Sequence, residues 1–277
     1  MHAFICTTCG TQFPASDAPP PDCAICRDER QYVYPLGQSW TTLQAMRRTH
    51  VNGFRRYEPG LTGIGTMPAF AIGQRALLLR TAQGNILWDC ISFIDDATVE
   101  IVQALGGITA IAVSHPHFYA SMVAWSHAFG GVPIHLHADD RRWVMHPDPA
   151  VTFWQGETLD LLRGVTLLRC GGHFAGGTVL HWADGAHGKG ALLTGDIVTV
   201  TPDRNLSFMR SYPNLIPLDA ASVRHIDAVL SGLAFDAVYG GWWDRVIASG
   251  GKAALRHSVQ RYLAAVSGPP RDASPVR

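Results

Sequence analysis

The strongest constraint on this chain is a short loop set between two different hydrophobic patterns. Ile108-Thr109-Ala110-Ile111-Ala112-Val113 reads as a buried strand, and Ser121-Met122-Val123-Ala124-Trp125 reads as a helix. Between them lies Ser114-His115-Pro116-His117-Phe118-Tyr119-Ala120. Two histidines at i and i+2, just past a strand end, can aim both rings at one point. Neutral imidazole is a good ligand for zinc or iron.

The chain has 277 residues and is 47% hydrophobic, which is enough for one large core with a small appendage. Lys plus Arg equals Asp plus Glu at 22 each, so no net field draws the chain to nucleic acid or an anionic membrane. No apolar run reaches the roughly 18 residues of a membrane span. Met1-His2-Ala3-Phe4-Ile5-Cys6 has neither the basic start nor the apolar stretch of a signal peptide, so a cytoplasmic location is expected.

A second metal pattern sits near the N-terminus. Cys6-Thr7-Thr8-Cys9-Gly10 and Cys23-Ala24-Ile25-Cys26 are two CxxC pairs separated by residues 10 to 22. Each pair can hold two thiolates on one turn, and four thiolates form a closed tetrahedral site for zinc, or for one iron. The insert carries Pro19-Pro20-Pro21 and has little packing power of its own, so residues 1–35 are expected to be a zinc-ribbon or rubredoxin-like knuckle that folds around its metal. Arg27 follows the second pair where rubredoxins usually carry glycine, which favours a structural clip over electron transfer.

The charged stretch Arg27 to Tyr34 reads as a solvated face. A helical connector is expected over 36–59, with a short helix from Gln38 to Arg48 capped by Ser39 or Thr41. His50, Arg55, Arg56 and Tyr57 then read as surface loop. From residue 60 to 277 the chain alternates strands and helices. Phe70-Ala71-Ile72 is a short strand candidate. Ala76 to Arg80 and Asn85 to Asp89 suggest a hairpin. Asp95-Asp96 opens a helix stopped by Gly106-Gly107. Val132 to His137 reads as a strand, and its HxH, His135 and His137, has no evident partners. Strands follow at Leu159 to Leu161 and Val165 to Cys170, then the glycine-rich turn Gly171-Gly172-His173-Phe174-Ala175-Gly176-Gly177. A second hairpin, Thr178 to Ala183 with Ala191 to Leu193, closes at Thr194-Gly195-Asp196. Helices are expected over Asp219 to Leu230 and Lys252 to Val266. They flank the strand Phe235 to Tyr239, which runs into Gly240-Gly241-Trp242-Trp243, and the tail 268–277 is expected to fray. Two packed sheets covered by helices are the simplest architecture.

These residues resemble the metallo-β-lactamase fold superfamily over about 60 to 265. The resemblance implies an α+β fold, an αββα sandwich with metals on loops at one sheet edge. His115 and His117 match the first two ligands of its HxHxDH signature, His173 the later histidine, Asp196 the aspartate that often bridges two metals, and Asp89 a supporting aspartate. Tyr119 stands at the aspartate position of the signature, Ala120 at its third histidine, and Trp242 at the final histidine. The first site is therefore kept, and the second retains Asp196 alone. One zinc or iron is implied in the three-histidine site, with Asp196 as fourth ligand or as partner of the metal's water.

The expected function is hydrolysis of a small molecule, an ester, lactone, thioester or related bond, by metal-activated water. Asp196 serves as proton acceptor and Tyr119 as hydrogen-bond donor. Trp242, Trp243, Arg204, Arg210 and Tyr212 are pocket candidates. The alternative is a catalytically inactive relative that binds a ligand or protein. No nucleic acid or membrane partner is expected, and self-association has only a weak case. Cys90 and Cys170 read as core thiols.

Overall fold

The computed structural model describes residues 1–267; the expected frayed tail over 268–277 lies outside the described residues. The N-terminal module is a three-stranded sheet in the order β2-β1-β3, built from β1 (His2–Cys6), β2 (Gln12–Ser16) and β3 (Trp40–Thr41), with the helical turn Ala24–Arg27 beside it. The expected helix over Gln38 to Arg48 shrinks to Leu43–Met46, and its cap is Thr42 rather than Ser39 or Thr41. The reason is tertiary. Trp40 and Thr41 pair with Cys6 and Ile5 of β1, and the Trp40 ring meets Phe13 edge-on at 5.1 Å.

The body is a sandwich. Its first sheet comprises β4 (Val51–Glu58), β5 (Leu61–Met67), β6 (Arg75–Thr81), β7 (Gly84–Trp88), β8 (Ala110–Ala112), β9 (Ile134–His137) and β10 (Val151–Trp154), ordered β10 to β4 across the sheet. Antiparallel pairing links β4 to β7, and parallel pairing links β7 to β10. The second sheet contains β11 (Thr158–Leu162), β12 (Val165–Arg169), β13 (Thr178–Trp182) and β14 (Ala191–Gly195). Two ribbons follow in the chain, β15 (Thr199–Val200) with β16 (Leu206–Ser207) and β17 (Met209–Ser211) with β18 (Ile216–Pro217). Then β19 (Ala237–Gly240) and β20 (Val246–Ile247) complete the sheet in the order β11-β12-β13-β14-β19-β20.

Strand periodicity divides the core into three layers. Leu77, Leu79, Ile86 and Trp88 face Leu167, Leu180, Trp182 and Leu193 between the sheets. Ala76, Leu78, Leu87 and Ile111 turn outward beneath Val102 of the helix Asp96–Ala104 and Val123 and Trp125 of the helix Met122–Ala128. On the far side, Val179, Leu192 and Val238 are covered by Val223, Ile226 and Leu255 from the helices Ala220–Leu230 and Gly251–Ser267. Strands buried on both faces lose polar alternation, which is why β6 and β14 read as continuous apolar runs. The result is the αββα arrangement implied by the resemblance.

Three local readings are corrected. Val51–Glu58, expected as helical connector and surface loop, is strand β4, the sheet edge, paired with β5 from Val51↔Met67 to Glu58↔Leu61. Its exposed side chains hide the strand signal, because an edge strand buries little of itself. Phe70 to Ile72 is a turn rather than a strand, with Ala71 at φ 52° and Gly73 N donating to Phe70 O at 2.9 Å. Val151–Trp154, unassigned in the sequence, pairs in parallel with β9.

One close approach holds β14 in line. Gly190 has φ +86°, and a Cβ there would lie 2.1 Å from Ala234 O. Its carbonyl also accepts from Asp236 N at 2.8 Å. Gly190→Ala is expected to destabilise the fold by roughly 2–4 kcal/mol, since it combines left-handed strain with overpacking against backbone. A denaturation midpoint equal to that of the parent protein would contradict this.

Candidate metal centre

The strand-to-helix loop places the first two histidines. His115 has extended backbone, and a 3-10 turn, Pro116–Phe118, carries His117. Beneath the loop, Asp89 Oδ1 accepts from Ser114 N at 2.8 Å. The glycine-rich turn after β12 brings His173, and β14 ends in Gly195 immediately before Asp196. Gly195 (φ +54°) lets this strand end press onto the histidine loop, since a Cβ there would stand 2.5 Å from Ser114 Oγ.

Four side chains converge. His115, His117, His173 and Asp196 each present a ligand atom, all within 4.8 Å of one another, and all four residues are buried. His115 Nε2 lies 3.1 Å from Asp196 Oδ1, and His117 Nδ1 lies 3.2 Å from His173 Nε2. Two of the rings are oriented by neighbours. His173 Nδ1–H donates to Met209 O at 3.0 Å, and His115 Nδ1 meets the Ser114 hydroxyl at 2.9 Å.

The donor set fits a divalent cation. His115 Nε2 and Asp196 Oδ1 are buried and lack a hydrogen-bond partner despite their proximity, a cost that a shared cation removes. Burial holds His115 and His117 well below the usual imidazole range and pushes His173 down to about 4, so all three are neutral ligands. Burial, and then the charge of Asp89, push Asp196 well above the carboxylate range, an energetic tension that a cation relieves. Asp89 itself is pushed up to about 7 by burial, opposed by the Ser114 hydrogen bonds.

The second cluster is Cys6, Cys9, Cys23 and Cys26, also buried with ligand atoms within 4.8 Å of one another. Cys6 and Cys26 Sγ are 3.5 Å apart and Cys9 and Cys23 Sγ 3.6 Å, all as free thiols. Gln38 Nε2 donates to Cys6 Sγ at 3.0 Å. Hydrogen bonds from Cys23 and the other thiols push Cys6 toward the thiolate, while the same contacts raise Cys9 and Cys26. Four thiolates at this spacing repel one another unless a cation compensates them, so this donor set also fits a metal.

The other site candidates separate. Trp242 lines a cavity of about 230 Å³ together with His117, Asp196 and Tyr212. Its Nε1 donates to Ile72 O at 2.8 Å, and the Tyr212 hydroxyl donates to Asp196 O at 2.6 Å. Tyr119 does not line this cavity. Its buried ring joins the outer core beside Thr11, Gln12 and Met145, because the left-handed Ala120 (φ 44°) turns the chain there and Ala120 O accepts from Gln12 N at 3.0 Å. Trp243 and Arg204 line a neighbouring cavity of about 710 Å³, where Arg204 Nη1 donates to Val246 O at 2.7 Å. Arg210 is committed to Glu29. His137 bonds Gly156 O at 3.1 Å and, with His135, stands outside both donor clusters.

The N-terminal module supplies residues that sequence reasoning missed. Arg30, in the stretch read as a solvated face, is buried. Its guanidinium lies 3.8 Å from the Phe174 ring centroid, and its Nη1 donates to His173 O at 3.2 Å. Phe174 in turn packs against His117 at 4.9 Å and His115 at 5.5 Å. Thr8, Gln31 and Tyr32 line the cavity beside the histidines. A charged residue after a knuckle carries no sequence mark of such docking.

Sandwich and site together define a protein of metallo-β-lactamase-like fold with one three-histidine, one-aspartate donor cluster and a four-cysteine module. Among solved structures it is similar to the metallo-β-lactamase DIM-1 (13% identity, TM-score 0.57, 77% of this chain and 98% of that one). It is also similar to the metallo-β-lactamase FIM-1 from Pseudomonas aeruginosa in its mono-zinc form (14% identity, TM-score 0.56, 78% and 96%). At those identities the likeness is one of fold. The chain belongs to the family of YmaE, an uncharacterized protein of Bacillus subtilis (strain 168), with 47% identity over 270 residues that cover 96% of this chain and 98% of that protein. No family model matches the chain. No helix among the described residues is long and apolar enough to cross a membrane.

Proposed function

We propose that this protein is a metal-dependent hydrolase of a small molecule, working through one cation at His115, His117, His173 and Asp196, with zinc or iron clipped by the four cysteines. The observation that carries this reading is four buried, convergent donors opening onto a cavity through His117 and Asp196. Zinc or iron suits the mixed nitrogen and oxygen donors.

A cation bound there supplies Lewis acidity toward a carbonyl oxygen and lowers the pKa of water. The protein's own groups do the rest. The three imidazoles would hold the charge in place, with His115 oriented through Ser114 and His173 through Met209 O. The Asp196 carboxylate, which opens onto the cavity beside the histidines, would accept the proton of the attacking water. Trp242 offers apolar surface to the cavity. Ester, lactone and thioester substrates all suit this arrangement.

The test is a screen of those three classes with metal-loaded protein. Asp196→Asn, with metal content checked, is expected to lower kcat by about 100-fold or more. Unchanged turnover in that variant would move the chemistry elsewhere. Tight binding without turnover in every class would favour the ligand-binding alternative.

A further inference from the structure

The ribbon β17–β18 binds to two parts of the molecule at once. On one side it holds two members of the histidine centre. Met209 O accepts from His173 Nδ1 at 3.0 Å, and the Tyr212 hydroxyl donates to the backbone carbonyl of Asp196 at 2.6 Å. On the other side it holds three consecutive carbonyls of the cysteine module. Asn214 Nδ2 donates to Glu29 O and to Gln31 O, each at 2.9 Å, and the Ser211 hydroxyl donates to Arg30 O at 3.1 Å. Arg210 Nε adds a charged hydrogen bond to Glu29 at 2.9 Å.

The segment that makes these contacts is braced. Met209 pairs with Pro217 and Ser211 with Ile216. Within the turn, Asn214 N donates to Ser211 Oγ at 3.2 Å and Leu215 N to Tyr212 O at 3.3 Å. A short braced ribbon passes a displacement on instead of absorbing it. The Asp196 end needs such a hold. Asp196 follows Gly195, whose left-handed backbone (φ +54°) is permissive. The bond from Tyr212 fixes the peptide from which the Asp196 carboxylate departs.

On the reading that the four donors hold one cation, we propose that Tyr212 is a positioning residue for Asp196, and that the ribbon couples the seating of the cysteine module to metal binding at the histidines. This route is separate from the contact of the Arg30 guanidinium with His173 O. Coupling of this kind is reciprocal, so metal at the histidines also tightens the module.

The probe is cobalt(II), titrated into the full chain with zinc in the cysteine module and read by its d–d absorption. Tyr212→Phe removes one hydroxyl. It is expected to lower cobalt affinity about 10-fold and to change the d–d bands, while the module keeps its zinc. Unchanged affinity and bands in the folded variant would overturn the positioning role. Hydrogen exchange over residues 28–32 reads the coupling. Cobalt is expected to slow it by about 5-fold or more in the parent protein. Ser211→Ala with Asn214→Ala is expected to erase that gain, and Asn214→Ala alone serves if the double variant fails to fold. No gain in the parent, or an undiminished gain in the variant, would overturn the coupling. His117→Ala tests the underlying reading. Cobalt retained at full affinity by that variant sinks the four-donor centre and the ribbon's role with it. Loss of cobalt there, with Tyr212→Phe unchanged, sinks the role of Tyr212 alone.

Discussion

Replacing Cys9 by serine will unfold the N-terminal module and strip one wall from the metal cleft. The four sulfurs are buried at van der Waals distances, and the module's other buried side chains are few. Binding of zinc by such a set contributes about 10–16 kcal/mol in small zinc modules, so the loss of one thiolate removes most of what orders this piece. The expected result is one equivalent of metal lost per chain, lower hydrogen-exchange protection over residues 1–41, and a Tm lowered on the order of 10 °C. The effect reaches the histidines because Arg30 then releases Phe174 and the His173 carbonyl. Affinity for the remaining metal should fall about 10-fold, as it does when an orienting partner is removed elsewhere. Full metal content and unchanged protection in Cys9→Ser would show that the Cys9 thiolate is not needed to hold the metal or to order the module.

Replacing His117 by alanine will empty the other centre without unfolding the protein. The variant leaves two imidazoles and one carboxylate, and its cation affinity is expected to fall by more than about 100-fold, beyond the usual effect of losing an orienting partner. Turnover should fall with it. The metal-free fold should change by no more than ~2 kcal/mol. A cavity forms at His117, but the opposition of its Nδ1 to His173 Nε2 at 3.2 Å disappears. Dialysis against a graded chelator reads the first effect and denaturant unfolding the second. Retention of metal by His117→Ala at wild-type chelator concentration would remove this histidine from the ligand set.

Much of the frame is legible in the residues. The αββα order follows from apolar runs at β6, β7, β13 and β14, punctuated by Gly84, Gly106 and Asp219, whose local preferences agree with the final packing. The strand at Val51–Glu58 escapes notice because an edge strand shows little hydrophobic alternation. Tyr119 illustrates a different limit. Its place in a motif puts it next to the histidines in sequence, yet a single left-handed residue, Ala120, sends its ring into the core.

Sequence alone marked the HxH and CxxC pairs, because each is a local object whose geometry is set by one turn of backbone, whereas His173 and Asp196 joined the first pair only through the resemblance. The tertiary structure alone decided that the two sets are neighbours. Arg30 meets the His173 carbonyl across 143 positions of sequence, and Gln31 lines the same cavity as Asp196. Contacts at that separation arise from how sheets, turns and ribbons pack. Short-range hydrophobic periods extend over only one or two turns and do not encode them.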